Sequence, residues 1–112
     1  ERVQDFCRKR GVDGKRSYLA ALFLEEMAGN VVSHGFSKDR KKHSVDIRVV
    51  HKDDDVILRI KDDCVNFNPK DRCALTDPED IAKNFGIRMI YSLTDRIEYR
   101  NILGLNVLTA RI

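Results

Sequence analysis

The stretch FLEEMAGNVVSHGF, residues 23–36, has the pattern of an amphipathic helix that ends at a glycine. An α-helix turns about 100° per residue, so most apolar residues of 19–34 fall on one continuous arc: Leu19, Ala20, Leu22, Phe23, Leu24, Met27 and Val31. Glu26, Asn30 and His34 lie inside that arc, one turn apart. Each one alone is most simply a hydrogen-bonded core residue. Because buried carboxylates and amides are costly when unpaired, three in register predict a cleft beside the helix.

Length and composition restrict the class of protein. A chain of 112 residues is expected to form one domain, 1–112. Its 42% hydrophobic and 35% charged residues are typical of a globular protein. No apolar run approaches the roughly 20 residues that span a bilayer, and no signal peptide opens the chain, so we expect a cytoplasmic location. The lack of an initiating Met indicates a piece of a longer protein, in which a membrane portion elsewhere is left open.

Neither the cysteines nor the basic residues form a pattern typical of a metal or nucleic-acid site. Cys7, Cys64 and Cys73 are odd in number and lack C-x-x-C spacing, which argues against a zinc site or a disulfide framework and for a reducing compartment. The net charge is +3, and the run SKDRKKH, residues 37–43, holds four Lys or Arg. Because this run follows a helix-ending glycine and has no interleaved aromatic residues, a solvated loop is favoured over contact with nucleic acid.

The rest of the chain alternates between helix and strand patterns. Helices are predicted at 2–11, 16–34, 77–83 and 86–94. Strands are predicted at 44–51, 55–62, 95–100 and 105–112, as two hairpins. Alternation in the first two strands places six residues toward the core: Val45, Ile47, Val49, Val56, Leu58 and Ile60. We therefore predict an α/β (α+β) fold, a two-layer sandwich with helices on one face of a mostly antiparallel sheet.

Three places in this framework could form one site. Glu26 and Asn30 lie on the long helix. Asp62 ends the second strand on its core-facing side, where a buried acid needs a donor such as the exocyclic amine of a purine. Gly86 begins a helix whose free N–H groups would suit a phosphate. Each of these features alone is common in proteins. The prediction of one site therefore depends on their order and spacing along the chain.

These residues give the chain a resemblance to the histidine kinase-like ATP-binding superfamily, the GHKL or Bergerat fold. EMAGN, residues 26–30, matches the family's N-box E-x-x-x-N, and VVSHGF matches the continuation common in anti-sigma factor serine kinases. DDCVNF, residues 62–67, stands in the place of the first glycine box, and NFGIRMIYSLTDRIEYR, residues 84–100, in that of the second. GLNVLTARI, residues 104–112, resembles the closing strand.

The resemblance implies that ATP lies between the helix layer and the loops. Asn30 would then bind Mg²⁺ through its amide oxygen. Glu26 would orient or deprotonate the nucleophile, which is water in an ATPase and a seryl hydroxyl of the partner in a kinase. Asp62 would accept from the adenine amine, and Gly86 would let the backbone approach the phosphates. His34 has no assigned role.

The glycine boxes depart from the family pattern. Cys64 and Asn66 stand where the first box carries glycine, and Asn84 stands where the second box begins with one. Asn tolerates positive φ, so Asn66 and Asn84 are compatible with the same backbone path in the ATP-binding loops. The side chain of Cys64 would narrow the adenine pocket. The threonine that often precedes the last strand is also missing, and Leu105 and Asn106 stand there.

Two function classes follow from the resemblance. The first is a regulatory serine/threonine kinase that binds ATP and Mg²⁺, sequesters a sigma factor and phosphorylates a STAS-type anti-anti-sigma factor, with a homodimer left open. The second is a non-catalytic nucleotide-binding or sensing module of a larger signalling protein, with a degenerate ATP site. Retention of Glu26 and Asn30 favours the first class, and the altered glycine boxes favour the second. A nucleic-acid partner, supported only by the basic run, is not expected.

Overall fold

A computed structural model describes residues 2–31, 43–64, 68–74, 77–94 and 96–112 of the chain. In these parts the helices are α1 (Arg2–Lys9), α2 (Gly14–Asn30), α3 (Pro78–Lys83) and α4 (Phe85–Leu93), with a 3₁₀ helix at Pro69–Ala74. The strands are β1 (Val45–Lys52), β2 (Asp55–Asp62), β3 (Ile97–Ile102) and β4 (Leu105–Arg111). None of the helices in these ranges is long and apolar enough to cross a membrane.

The described strands form one antiparallel sheet in the order β1-β2-β4-β3. Each predicted hairpin is closed by a two-residue turn in which both residues have positive φ: Asp53 and Asp54 at 52° and 65°, then Leu103 and Gly104 at 51° and 83°. Such turns match the right-handed twist of the flanking strands. They set the register of β1 on β2 and of β3 on β4.

The core lies between one face of the sheet and the helices. Along β2 every second residue is buried, and the alternation continues in β4. These strand residues share one hydrophobic cluster with residues of α1, α2 and α4: Val3, Cys7, Ala20, Phe23, Met27, Val56, Leu58, Ile60, Ile87, Ile90, Leu108 and Ala110. The predicted α+β fold, with helices on one face of an antiparallel sheet, is therefore confirmed.

The bounds of the predicted helices differ from those in the structure by at most two residues at the described ends. α2 begins at Gly14 rather than at residue 16, because the side chain of Asp13 accepts a hydrogen bond from the N–H of Arg16 (3.2 Å) and caps the helix. α4 begins at Phe85, one residue before Gly86. The predicted end of the long helix, with His34 and the following glycine, lies outside the described residues.

Val45, Ile47 and Val49 of β1 lie on the core-facing side of the sheet, as predicted, but the core does not cover all three. Val45 and Ile47 are 37% and 43% exposed, whereas Val49 packs against the core. Ile47 pairs with Ile60 across the strands, so it does lie on the core-facing side of the sheet. β1 is an edge strand of the sheet, and its apolar face extends beyond the buried core. Alternation identified the face correctly but could not show how far the helix layer covers it.

Candidate functional site

A small cavity lies between α2 and the ends of β2 and β4. Its volume is about 30 Å³, room for a water molecule rather than for a ring system. Apolar and polar residues line it together: Met27, Asn30, Val31, Ile60, Asp62, Cys64, Pro69, Tyr99, Asn106 and Leu108. Three residues predicted from the sequence, Asn30, Asp62 and Cys64, thus meet at one place.

Asp62 ends β2 on the buried face, as its alternation predicts, and is 7% exposed. Its Oδ1 atom accepts hydrogen bonds from the backbone N–H of Cys64 (3.0 Å) and from Nδ2 of Asn106 (2.9 Å). Its Oδ2 atom accepts none from the residues that the structure describes. The carboxylate is therefore held through one oxygen while the other remains available to a ligand.

Asn106 is a site residue to which the sequence interpretation gave no role. The sequence showed only that Asn106 stands near the place where related proteins often have a threonine. It is 5% exposed and pairs directly with Asp62 in the register of β2 on β4. Its Oδ1 accepts from the hydroxyl of Tyr99 (2.5 Å) and from Nδ2 of Asn101 (3.2 Å), and its Nδ2 also donates to the carbonyl of Cys64 (3.2 Å). Asn106 thus ties the end of β2 to β3 and β4. The available signal was an Asn at an inward position of the last strand.

Asn30 is the last residue of α2 and is 7% exposed. Within the described part of the chain, its Nδ2 atom is buried and has no hydrogen-bond partner. An unpaired buried amide costs about 1–3 kcal/mol, and such groups call for an explanation, for example an ion or water that completes them. Since the two ends of an amide differ little in shape, the finding is one uncommitted terminal atom beside the cavity. The unpaired N–H donor fits a residue that donates to a phosphate or water oxygen, and exchange of the two amide ends would place an oxygen there for a cation.

Glu26 and Gly86 touch one another, a contact that the sequence did not indicate. A Cβ atom built on Gly86 would come within 2.8 Å of Cγ of Glu26, and closer still to its carboxyl group. Glycine at this position therefore leaves room for the Glu26 side chain between α2 and α4. The carboxylate of Glu26 has no hydrogen bond or ion pair with the described residues, and it rests against the first turn of α4, where the helix dipole favours negative charge.

The remaining predicted residues divide between the described and undescribed parts of the chain. Asn84 is buried at the start of α4, with a φ of −106°. Its tolerance of positive φ, suggested by its place in a glycine box, is therefore not used here. Cys64 is 6% exposed and borders the cavity, and its effect on the width of an adenine pocket stays a prediction. Asn66 and His34 lie outside the described residues.

Comparison with known proteins gives a family and a related fold. A family model described as "Histidine kinase-like ATPase domain" matches residues 1–112. Among solved structures, the chain is similar to the histidine kinase domain of a blue-light activated histidine kinase from Erythrobacter litoralis EL346, with a TM-score of 0.67 and 15% identity. The similarity covers 90% of this chain and 48% of that one, about half its length. No curated protein matches the chain. Through its match to the family model, the chain belongs to the histidine kinase-like ATPase domain family.

Proposed function

We propose that this domain binds ATP at the cavity between α2 and the ends of β2 and β4. The observation that carries the proposal is the state of Asp62, whose Oδ1 is held by two N–H donors while Oδ2 accepts no hydrogen bond from the described residues. A carboxylate fixed in this way offers its second oxygen in a set direction. The exocyclic amine of adenine supplies the N–H that this oxygen lacks. The apolar side chains of Ile60 and Leu108 suit the flat ring.

Asn30 is the residue that would contact Mg²⁺. Its amide borders the cavity with one terminal atom uncommitted. Mg²⁺ takes few protein oxygens and fills its other positions with water and phosphate oxygens, so a single amide oxygen is a suitable contribution. The bound cation would supply charge neutralisation on the phosphates. Asn30 itself would fix the distance between the metal and α2.

Binding requires the cavity to open. A volume of about 30 Å³ is far below the several hundred Å³ typical of small-molecule pockets. Pro69 lies at its border, outside the regular strands and α-helices, and its displacement would make room while the hydrogen bonds that hold Asp62 stay in place. The free energy spent on opening lowers the apparent affinity. We therefore expect weaker ATP binding than an open site with the same contacts would give.

The first functional class under this proposal is a regulatory serine/threonine kinase. Glu26 lies one turn before Asn30 on α2, and its carboxylate has no partner among the described residues. It would accept the proton of a seryl hydroxyl on a partner such as a STAS-type anti-anti-sigma factor. The seryl oxygen would form a bond to the γ-phosphorus as the bond to the bridging oxygen of ADP breaks. In this class the same domain would also bind and sequester a sigma factor.

The second class is a nucleotide-sensing module without phosphoryl transfer. The observation that favours it is the buried network around Asn106, which ties Tyr99 and Asp62 together and leaves little space beside them. In such a module, nucleotide binding would open the cavity and shift the ends of β2 and β4. A larger signalling protein would read that shift. Glu26 would then stabilise the contact of α2 with α4 rather than catalyse.

Calorimetric titration with ATP and Mg²⁺ tests the shared part of the proposal. Wild type should bind in a saturable way, and Asn30→Ala should lose the Mg²⁺-dependent part of the affinity while unfolding at a similar temperature. Equal ATP affinity in both proteins with Mg²⁺ present would contradict the role of Asn30. Detection of phosphate release, or of a phosphorylated seryl residue on a STAS-type partner, would then separate the kinase from the module.

A further inference from the structure

A second cluster of side chains lies at the open end of the β1–β2 hairpin, away from its turn. One ligand atom each of His43, Asp63 and Cys64 lies within 4.8 Å of the other two. The register explains this meeting: Val45 pairs with Asp62, so the residues just before β1 run alongside those just after β2. C-x-x-C spacing does not reveal such a cluster, because the fold assembles it from two separate segments.

The three side chains differ in how far each is already fixed. Oδ1 of Asp63 accepts from the backbone N–H of Ser44 (3.1 Å) and lies 3.2 Å from Nδ1 of His43. Its other oxygen has no hydrogen bond or ion pair with the side chains of the described residues. The hydrogen bond from Ser44, followed by the contact with His43, lowers the pKa of the Asp63 carboxyl. The carboxylate is therefore oriented through Oδ1, with its other oxygen left for a ligand.

Burial and exposure are arranged so that a small ion can reach the cluster. The side chain of His43 is 8% exposed and Cys64 is 6% exposed, whereas the side chain of Asp63 is 41% exposed. The two softer ligands thus lie on the protected side, and the carboxylate lies toward solvent. An ion can arrive past Asp63 and be held against the imidazole and the thiol.

We propose that His43, Asp63 and Cys64 bind a thiophilic divalent cation of the Zn²⁺ type. Zn²⁺ binds nitrogen, sulfur and oxygen ligands and in open sites takes three protein ligands with water in the fourth position, whereas Mg²⁺ and Ca²⁺ prefer oxygen alone. Metal–ligand bonds of about 2.0–2.3 Å bring tetrahedral ligand atoms to roughly 3.5 Å of one another. Nδ1 of His43 lies 3.2 Å from Oδ1 of Asp63, and the ligand atoms of all three residues lie within 4.8 Å of one another, so small side-chain shifts would bring them to this spacing.

This site is distinct in chemistry from the proposed Mg²⁺ contact at Asn30, although Cys64 borders both. The backbone of Cys64 donates to Asp62 and accepts from Asn106, while its sulfur belongs to the new cluster. The cation would replace the thiol proton, because thiolate is the form that binds metals. The proposal does not depend on ATP binding, and it is tested with nucleotide absent.

Titration of the reduced protein with Co²⁺, a spectroscopic substitute for Zn²⁺, tests the proposal. Wild type should show a saturable thiolate-to-cobalt charge-transfer absorption in the near ultraviolet that Zn²⁺ displaces. Cys64→Ser should abolish this absorption, and Asp63→Asn, at an exposed carboxylate, should weaken Co²⁺ affinity at least about tenfold. Cys73→Ser, which changes a thiol outside the cluster, is the matched control and should leave the absorption unchanged.

Circular dichroism and thermal melting identify any variant that fails to fold. If Cys64→Ser is unfolded, Asp63→Asn tests the proposal, because it does not alter a buried group. Absence of the charge-transfer absorption in wild type would overturn the proposal. So would an absorption that survives Cys64→Ser, or a Co²⁺ affinity in folded Asp63→Asn equal to that of wild type.

Discussion

Gly86→Ala should reveal a close approach between α4 and Glu26 without unfolding the protein. The new Cβ would lie 2.8 Å from Cγ of Glu26, whereas ordinary contact begins at 3.4 Å, so the Glu26 side chain must move by more than about half an ångström. Alanine is favoured over glycine by up to about 1 kcal/mol in a helix. Forcing Glu26 off its rotamer costs about 0.5–1.5 kcal/mol. The two nearly cancel, and the free energy of unfolding should stay within about 1 kcal/mol of wild type.

A double-mutant cycle isolates the contact from the helix preference. In a Glu26→Ala background the side chain that would clash with the new Cβ is absent. Gly86→Ala should then raise the free energy of unfolding by up to about 1 kcal/mol, which corresponds to a rise of about 4 °C in melting temperature for a domain near this size. Gly29→Ala is the matched control, because a Cβ on Gly29 meets nothing within 4 Å. Urea denaturation of the set gives the free energies. The same effect of Gly86→Ala in both backgrounds would refute the inferred contact.

Three further predictions concern the cavity and the carboxylate. Glu26→Gln should keep ATP affinity near wild type in calorimetry and abolish hydrolysis or transfer, because a base acts only in the transition state; a change mainly in melting temperature would indicate a structural acid. Cys64→Gly should raise ATP affinity by widening the pocket, despite about 0.5–1 kcal/mol of backbone entropy, and unchanged affinity would show that the cysteine is harmless. Asn106→Ala should lower the free energy of unfolding by about 1–3 kcal/mol, because it leaves buried polar groups without hydrogen-bond partners. A melting temperature within one degree of wild type would contradict a stabilising role for this hydrogen-bond network.

The parts of the fold that follow from short-range periodicity could be predicted from the sequence. Alternation along β2 placed Val56, Leu58 and Ile60 inward, and all three are buried. The same alternation placed Asp62 on that face, where the structure has it. A side-chain period of two is a property of the strand itself, so it needs no knowledge of what packs on the strand.

Contacts between distant segments could not be predicted in this way. The hydrogen bond from Asn106 to Asp62 joins residues that are 44 positions apart, and it depends on the register of β2 on β4. The contact of Glu26 with Gly86 depends on how closely α4 approaches α2. The exposure of Ile47 depends on β1 being an edge strand. Each of these follows from the packing of whole elements, which local patterns do not specify.

The most direct test of the central claim compares ATP and GTP in calorimetric titrations of wild type with Mg²⁺ present. Asp62 can accept from the exocyclic amine of adenine, whereas guanine presents a carbonyl oxygen at the equivalent ring position, so the carboxylate would face an acceptor. We predict saturable binding of ATP and an affinity for GTP at least about tenfold weaker. Equal affinities for the two nucleotides, or no binding of ATP, would contradict the account of this cavity as an adenine site.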